Sequence, residues 1–228
     1  MTRYAIGDIH GGAKTFRALL DSISLRHDDR LYLLGDYVDR GSDSKGVLDI
    51  ILQLMESGYD VRPILGNHDD LFLDAISGGE FKSSLSYLEY WGLHTLGSFG
   101  VNYVSGVPQK YRSLLESMPT IRVEEDYVFV HAGLDMEADD PINQTSPHDM
   151  LWVEPETVDA DKLGGRSLVV GHRVKSLAEI HSYLASSYIR IDNGAFSNVQ
   201  PDYGNLVALN LDTKDLIVQP WLDGDSED

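Results

Sequence analysis

The amino-acid sequence predicts an α/β fold, α+β in the looser sense, and three observations predict it. Short β-prone runs alternate with amphipathic stretches of helical period through the first part of the chain. Strand signals then dominate from Thr120 onward. The apolar runs also end in glycine-led polar blocks, as expected where an open α/β sheet leaves a crevice beyond its strand ends.

Residues 3–7 read as the first strand and 13–24 as a helix, with Phe16, Leu19, Leu20 and Ile23 on one face. Residues 30–34 form the next strand. The helix at 45–57 follows, its stripe made of Val47, Leu48, Ile51, Leu52 and Met55. A third strand covers 59–65, and 71–76 is helical until Gly78-Gly79 breaks it. Region 78–118 reads as a helical, cap-like insertion, with an aromatic run at 83–92 and a loop around 97–106. Further strands are expected at 120–124, 127–131, 167–171, 188–192, 205–210 and 215–219. Glu124-Glu125-Asp126 and Asp212-Thr213-Lys214 suit hairpin turns. With no repeat or Pro/Ser-rich linker, residues 1–228 read as a single domain.

Composition narrows the function. The 228 residues are 42% hydrophobic and include no cysteine, so an ordinary core is available while disulfides and thiolate metal sites are not. Eighteen basic against 37 acidic residues give a net charge of −19, which argues against a broad nucleic-acid-binding face. No apolar stretch approaches the ~18 residues that span a membrane, and no leader precedes the first strand, so the expectation is a cytoplasmic protein. The acidic tail from Asp223 reads as a frayed, solvated end.

The chemistry lies in five blocks: Gly7-Asp8-Ile9-His10-Gly11, Gly35-Asp36-Tyr37-Val38-Asp39-Arg40-Gly41, Gly66-Asn67-His68-Asp69, Val128-Phe129-Val130-His131 and Leu168-Val169-Val170-Gly171-His172. Singly, a Gly-Asp at a strand end is an ordinary turn, and a histidine after a buried strand is ordinarily a hydrogen-bonded core residue. Five strand ends bringing carboxylate, amide and imidazole groups in order point instead to a two-metal hydrolase. Asp8 and His10 alternate by two, so both reach one site if the chain turns at Gly7 and Gly11. The two oxygens of Asp36 suit a bridge between cations about 3.5–4 Å apart, between which a water would lose its proton near neutral pH.

These blocks resemble the GDxHG, GDxVDRG and GNHE signatures of the phosphoprotein phosphatase family of calcineurin-like metallophosphoesterases, in particular its compact bacterial members. Gly35–Gly41 agrees at every fixed position, and Asp69 stands where the family carries Glu. The resemblance runs from Gly7 to about Leu211 and implies a central β-sandwich of two mixed sheets flanked by helices. It implies that Asp8, His10 and Asp36 hold one metal, and that Asp36, Asn67, His131 and His172 hold the other. His68 would be the general acid, Asp39 its orienting carboxylate and Arg40 a phosphate ligand. The implied cofactors are two divalent cations, manganese first, with iron, zinc, nickel or cobalt also suited to these donors.

There is one departure from the family pattern. A second phosphate-binding arginine commonly follows a Leu-Trp segment, but here Leu151-Trp152-Val153 leads to Glu154-Pro155. Arg173 is the preferred substitute and Arg166 the second choice. The resemblance implies first a serine/threonine protein phosphatase acting on a phosphorylated protein. The alternative is a dinucleoside polyphosphate (diadenosine tetraphosphate) hydrolase or nucleotide-cap pyrophosphohydrolase, for which Tyr87, Tyr90, Trp91 or Tyr103 would supply a base-stacking wall.

Overall fold

The structure is a computed structural model that describes residues 1–78, 92–196 and 201–224. Two mixed β-sheets pack face to face with helices on their outer sides. The first sheet has the order β3-β2-β1-β8-β9, with β1 Arg3–Ile6, β2 Arg30–Leu33, β3 Asp60–Pro63, β8 Asn205–Asn210 and β9 Leu216–Pro220. Its first three strands are parallel, while β8 runs antiparallel to both β1 and β9. The second sheet has the order β4-β5-β6-β7, with β4 Ile121–Val123, β5 Tyr127–Val130, β6 Ser167–Val170 and β7 Tyr188–Arg190. There β4 is antiparallel to β5, and β5, β6 and β7 are parallel.

Alternation along the strands builds three apolar layers. Ala5, Tyr32, Leu34, Phe129, Val169, Ile189, Val207 and Leu209 fill the space between the sheets. Their chain neighbours Ile6, Leu31, Leu33 and Ala208 face outward and pack on helices α1 (Ala13–Ile23), α2 (Ser44–Glu56) and α3 (Asn67–Ser77). Val128, Val130, Leu168 and Val170 face outward from the second sheet onto Leu134, Met150 and Leu163. Pro63, which cannot donate to a ladder, sits on an edge strand.

The region read as a cap contains α4 (Leu93–Ser98), a short 3₁₀ turn at Val104–Gly106 and α5 (Gln109–Glu116), so part of the expected loop at 97–106 is helical. Tyr87, Tyr90 and Trp91 lie outside the described residues. Two short helices, α6 (Pro141–Gln144) and α7 (Pro147–Trp152), and the later α8 (Leu177–Tyr183) were not anticipated. Their signals were present: Asp140-Pro141 and Ser146-Pro147 each place a capping side chain before a helix-starting proline. Ser176 and Glu179 likewise form a capping box at the start of α8.

The expected solvated tail is corrected at its first residue. Asp223 is buried, and its carboxylate accepts hydrogen bonds from the backbone N–H of Lys14 (2.9 Å), the N–H of Thr15 (2.8 Å) and the Thr15 hydroxyl (2.6 Å). Gly12, at the N-cap of α1, has no side chain to do this, so the carboxylate comes from the far end of the chain.

Candidate metal centre

The polar blocks gather where the parallel strands end. Asp8 and His10 follow β1, Asp36 follows β2, Asn67 and His68 open α3 after β3, His131 follows β5 and His172 follows β6. Asp8, His10, Asp36, Asn67, His68 and His131 are all buried. The backbone is bent to aim them. His10, Asp36, Asp39, Arg40 and His172 all adopt positive φ, between 44° and 69°, although none is glycine. Such conformations cost about 1–3 kcal/mol each and persist where surrounding structure enforces them. Close approach enforces it here: a Cβ on Gly66 would overlap the backbone nitrogen and Oδ1 of Asp36, and one on Gly171 would overlap Oδ1 of Asp8.

The two oxygens of Asp36 face different partners. Oδ2 lies 3.5 Å from His10 Nε2, and Oδ1 lies 3.4 Å from His131 Nε2. On the His131 side, Asn67 Oδ1 is 2.7 Å from His131 Nε2 and 3.1 Å from His172 Nδ1, and these two ring nitrogens are 3.2 Å apart. Acceptor lone pairs therefore converge on one point, which suits a cation. The ring orientations are fixed from behind: Nδ1 of His10 meets the Val38 carbonyl at 3.0 Å and Nδ1 of His131 meets the Leu34 carbonyl at 2.8 Å. When Nδ1–H donates in this way, Nε2 keeps its lone pair for a metal.

Ligand atoms of His10, Asp36 and His68 lie within 4.8 Å of one another, as do those of Asp8, Asp36 and His131. Asp36 belongs to both groups. Asp8 falls in the group with His131. Asp8 also accepts the backbone N–H of His172 at 3.2 and 3.1 Å, which ties the two sheets together at the site.

Burial and charge set the protonation states. Burial lowers His10 well below the ordinary imidazole range, while burial and then the neighbouring His131 push His172 down to about 4. Both are therefore neutral at pH 7, the form an imidazole needs to ligate a metal. His131 goes the other way: burial disfavours its charge, but Asp36 and Asp8 outweigh this and push it up to about 10. A divalent cation at Nε2 would displace that proton. Burial would raise Asp36, yet His131 and His68 hold it well below the usual carboxylate range.

His68 is also raised, the charge of Asp36 and the contact with Asp39 overcoming burial. Its Nδ1 lies 2.8 Å from Asp39 Oδ2. Asp39 is in turn held by the Thr95 hydroxyl, which donates to Oδ1 at 2.6 Å. Thr95 comes from α4, a region in which the sequence marks no ligand, and nothing in the sequence singles it out.

A cavity of about 300 Å³ opens beside these groups, lined among others by Arg40, His68, His172, Arg173, Trp152, Asp192 and Phe196. Arg40 lies over the Phe196 ring, 4.3 Å from its centroid, and the Phe196 ring meets His10 edge-on at 4.8 Å. Arg173 lines this cavity. Arg166 does not: its guanidinium donates to the carbonyls of Glu124 (2.7 Å) and Leu163 (3.0 Å). Glu154, at the position where the family carries arginine, pairs with Arg190 at 2.9 Å. Tyr103 is 76% exposed and is absent from the cavity lining. Sequence reasoning missed Phe196, and it noted the Asp192-Asn193-Gly194-Ala195 segment only as part of the family resemblance; Asp192 is buried, its acid pushed up to about 6 by burial and by Asp36, against a hydrogen bond from the Gly194 N–H. It also missed the work of Asp69. That carboxylate accepts the N–H groups of Tyr37 (2.9 Å), Val38 (3.3 Å) and Gly66 (3.0 Å), joining two of the polar blocks.

The profile of the calcineurin-like phosphoesterases matches residues 1–205. The chain belongs to the calcineurin-like phosphoesterase family. Membership implies a dinuclear divalent site, which the donor set above fits. The symmetrical bis(5'-nucleosyl)-tetraphosphatase of Nitrosomonas europaea is 36% identical over 135 residues, 59% of this chain and 45% of that protein. The matched stretch thus spans less than half of that relative. A crystal structure provisionally described as a diadenosine tetraphosphatase superposes with TM-score 0.68 at 21% identity, covering 98% of this chain and 95% of that one. A Saccharomyces cerevisiae protein serine/threonine phosphatase gives 0.66 at 15% identity, covering 100% and 82%. These two likenesses establish the fold, as expected from the sequence. Among the described residues, no helix is long and apolar enough to cross a membrane.

Proposed function

We propose that this chain hydrolyses dinucleoside polyphosphates such as diadenosine tetraphosphate, splitting the phosphate chain into nucleoside diphosphates. The observation that carries this reading is the 36% identity to a symmetrical bis(5'-nucleosyl)-tetraphosphatase over 135 residues. The serine/threonine phosphatase reading, preferred on the sequence alone, ranks second, since its structural likeness is at 15% identity.

Asp8, His10, Asp36, Asn67, His131 and His172 would hold two divalent cations. When bound, these would polarise the phosphoryl group and lower the pKa of a water. Arg40 and Arg173 line the same cavity and would bind phosphate oxygens, offsetting charge as the transition state forms. Phe196 under the Arg40 guanidinium limits where that side chain can sit. His68 would give its proton to the departing oxygen. The charge of Asp36 and the pairing with Asp39 favour the charged imidazole, and a charged imidazole cannot ligate a metal although it lies within reach of one group. Thr95 fixes Asp39, so the proton donor is held from behind by two side chains in series.

The test is a comparison of kcat/KM on diadenosine tetraphosphate and on a phosphoserine peptide with Mn²⁺ present. The proposal predicts that the dinucleotide is preferred by at least about tenfold, with ADP as the product. A peptide preference would overturn it.

A further inference from the structure

Two aromatic side chains among the described residues line the cavity, and they are differently engaged. Arg40 covers Phe196, and His10 meets its ring edge-on. Trp152 has no such cover from a described ring: His172 stands nearly perpendicular to it at 6.3 Å, and His148 is tilted 30° at 6.2 Å, both beyond stacking contact. The indole is 36% exposed, while its chain neighbour Leu151 is buried in the core. Trp152 ends α7, whose first turn is fixed by Ser146, so the ring is carried on a short, capped helix anchored by its neighbour.

We infer that Trp152 is the stacking platform for a nucleobase of the substrate, an inference that rests on the proposed function. Its ring is edge-adjacent to His172, and Arg173 follows His172 along the same wall. The indole therefore borders the same cavity as Arg173, which would bind phosphate oxygens. Stacking is also the recognition this surface can supply. The chain carries a net charge of −19, and the cavity's arginines, Arg40 and Arg173, would be occupied by phosphate. Every base offers a π face, and base–aromatic stacking needs no further cation. Of the residues expected to supply the aromatic wall, Tyr87, Tyr90 and Trp91 lie outside the described residues and Tyr103 is absent from the cavity lining; the stacking is assigned instead to Trp152, whose Leu-Trp context had served only as a landmark for the absent arginine.

The experiment uses competition rather than turnover of the dinucleotide, so that it survives failure of the proposed function. Inhibition of p-nitrophenyl phosphate hydrolysis by ADP and by inorganic phosphate is measured for wild type, Trp152→Ala and Trp152→Phe, all metal-loaded. Inorganic phosphate reports the metal and arginine groups alone, and ADP adds the base. The inference predicts that the ratio of the ADP to the phosphate inhibition constant rises roughly five- to a hundredfold in Trp152→Ala and recovers most of the way in Trp152→Phe. An unchanged ratio in Trp152→Ala, or an equal weakening of both inhibitors, would overturn it. Wild type that ignores diadenosine tetraphosphate would overturn the proposed function, and the ADP ratio would still decide for or against Trp152.

Discussion

Replacing Asp39 by asparagine tests the proton-donor arrangement while changing almost no volume. The carboxylate is fully buried, meets His68 Nδ1 at 2.8 Å and accepts the Thr95 hydroxyl at 2.6 Å. The Thr95 hydroxyl can rotate, so an asparagine can keep its oxygen toward His68 and preserve the geometry. What is lost is the charge. A charge-assisted hydrogen bond is about twice as strong as a neutral one, and the net difference in such a setting is about 1–1.5 kcal/mol. If that difference holds the proton ready for transfer, it corresponds to about five- to tenfold in rate on a substrate that needs the proton. The assay is kcat on phenyl phosphate beside p-nitrophenyl phosphate. The poorer leaving group depends more on protonation, so Asp39→Asn is expected to slow phenyl phosphate by the larger factor. Equal losses on both substrates would refute the assignment of His68 as proton donor, because an orienting or structural effect does not discriminate between leaving groups.

Asp69→Asn should retain the metal donors yet lose stability. A single amide oxygen cannot accept from Gly66 on one side and from Tyr37 and Val38 on the other, and its NH₂ would face an N–H group. One or two buried donors left unpaired cost about 1–3 kcal/mol, which in a chain of this size lowers Tm by roughly 3–10 °C, read by calorimetry. An unchanged Tm would contradict the role given to Asp69. Asp49 on α2 links that helix to α5: burial raises its acid, but hydrogen bonds from Lys45, Lys110 and Tyr111 prevail and bring it down to about 2. A lowered folded pKa contributes stability above the ordinary carboxylate pKa, and that contribution is lost as pH falls toward 2. Urea unfolding between pH 5 and 2.5 should therefore show a shallower acid slope in Asp49→Asn than in wild type.

The parts of the structure legible in the sequence are those governed by local periodicity and by chemically unusual residue blocks. Helix α1 was readable because Phe16, Leu19, Leu20 and Ile23 form one stripe, and all four are buried. The hairpins β4–β5 and β8–β9 were readable from their turns. The ligand blocks stood out because glycine and metal-binding side chains coincide at strand ends, and the structure brings them to one place. The rest depends on contacts between distant segments. Asp223 caps a helix some 208 positions away, Thr95 braces Asp39 across 56, and Asp69 binds the loop after β2. No local pattern encodes such partners. Phe196 and Trp152 face the cavity only because β7 and α7 end beside it, which composition cannot show. The preferred substrate shifted for a different reason, the 36% identity to a symmetrical bis(5'-nucleosyl)-tetraphosphatase, because the polar blocks alone do not select a substrate.

The central claim is that Asp36 joins two cation sites, since its oxygens face His10 on one side and His131 on the other. The most direct measurement is the number of Mn²⁺ ions bound per chain, by elemental analysis after reconstitution, in wild type and in Asp36→Asn. Two ions per wild-type chain, falling to one or none in the variant with near-complete loss of turnover, is the predicted result. A single ion in wild type, or unchanged occupancy in Asp36→Asn, would contradict it.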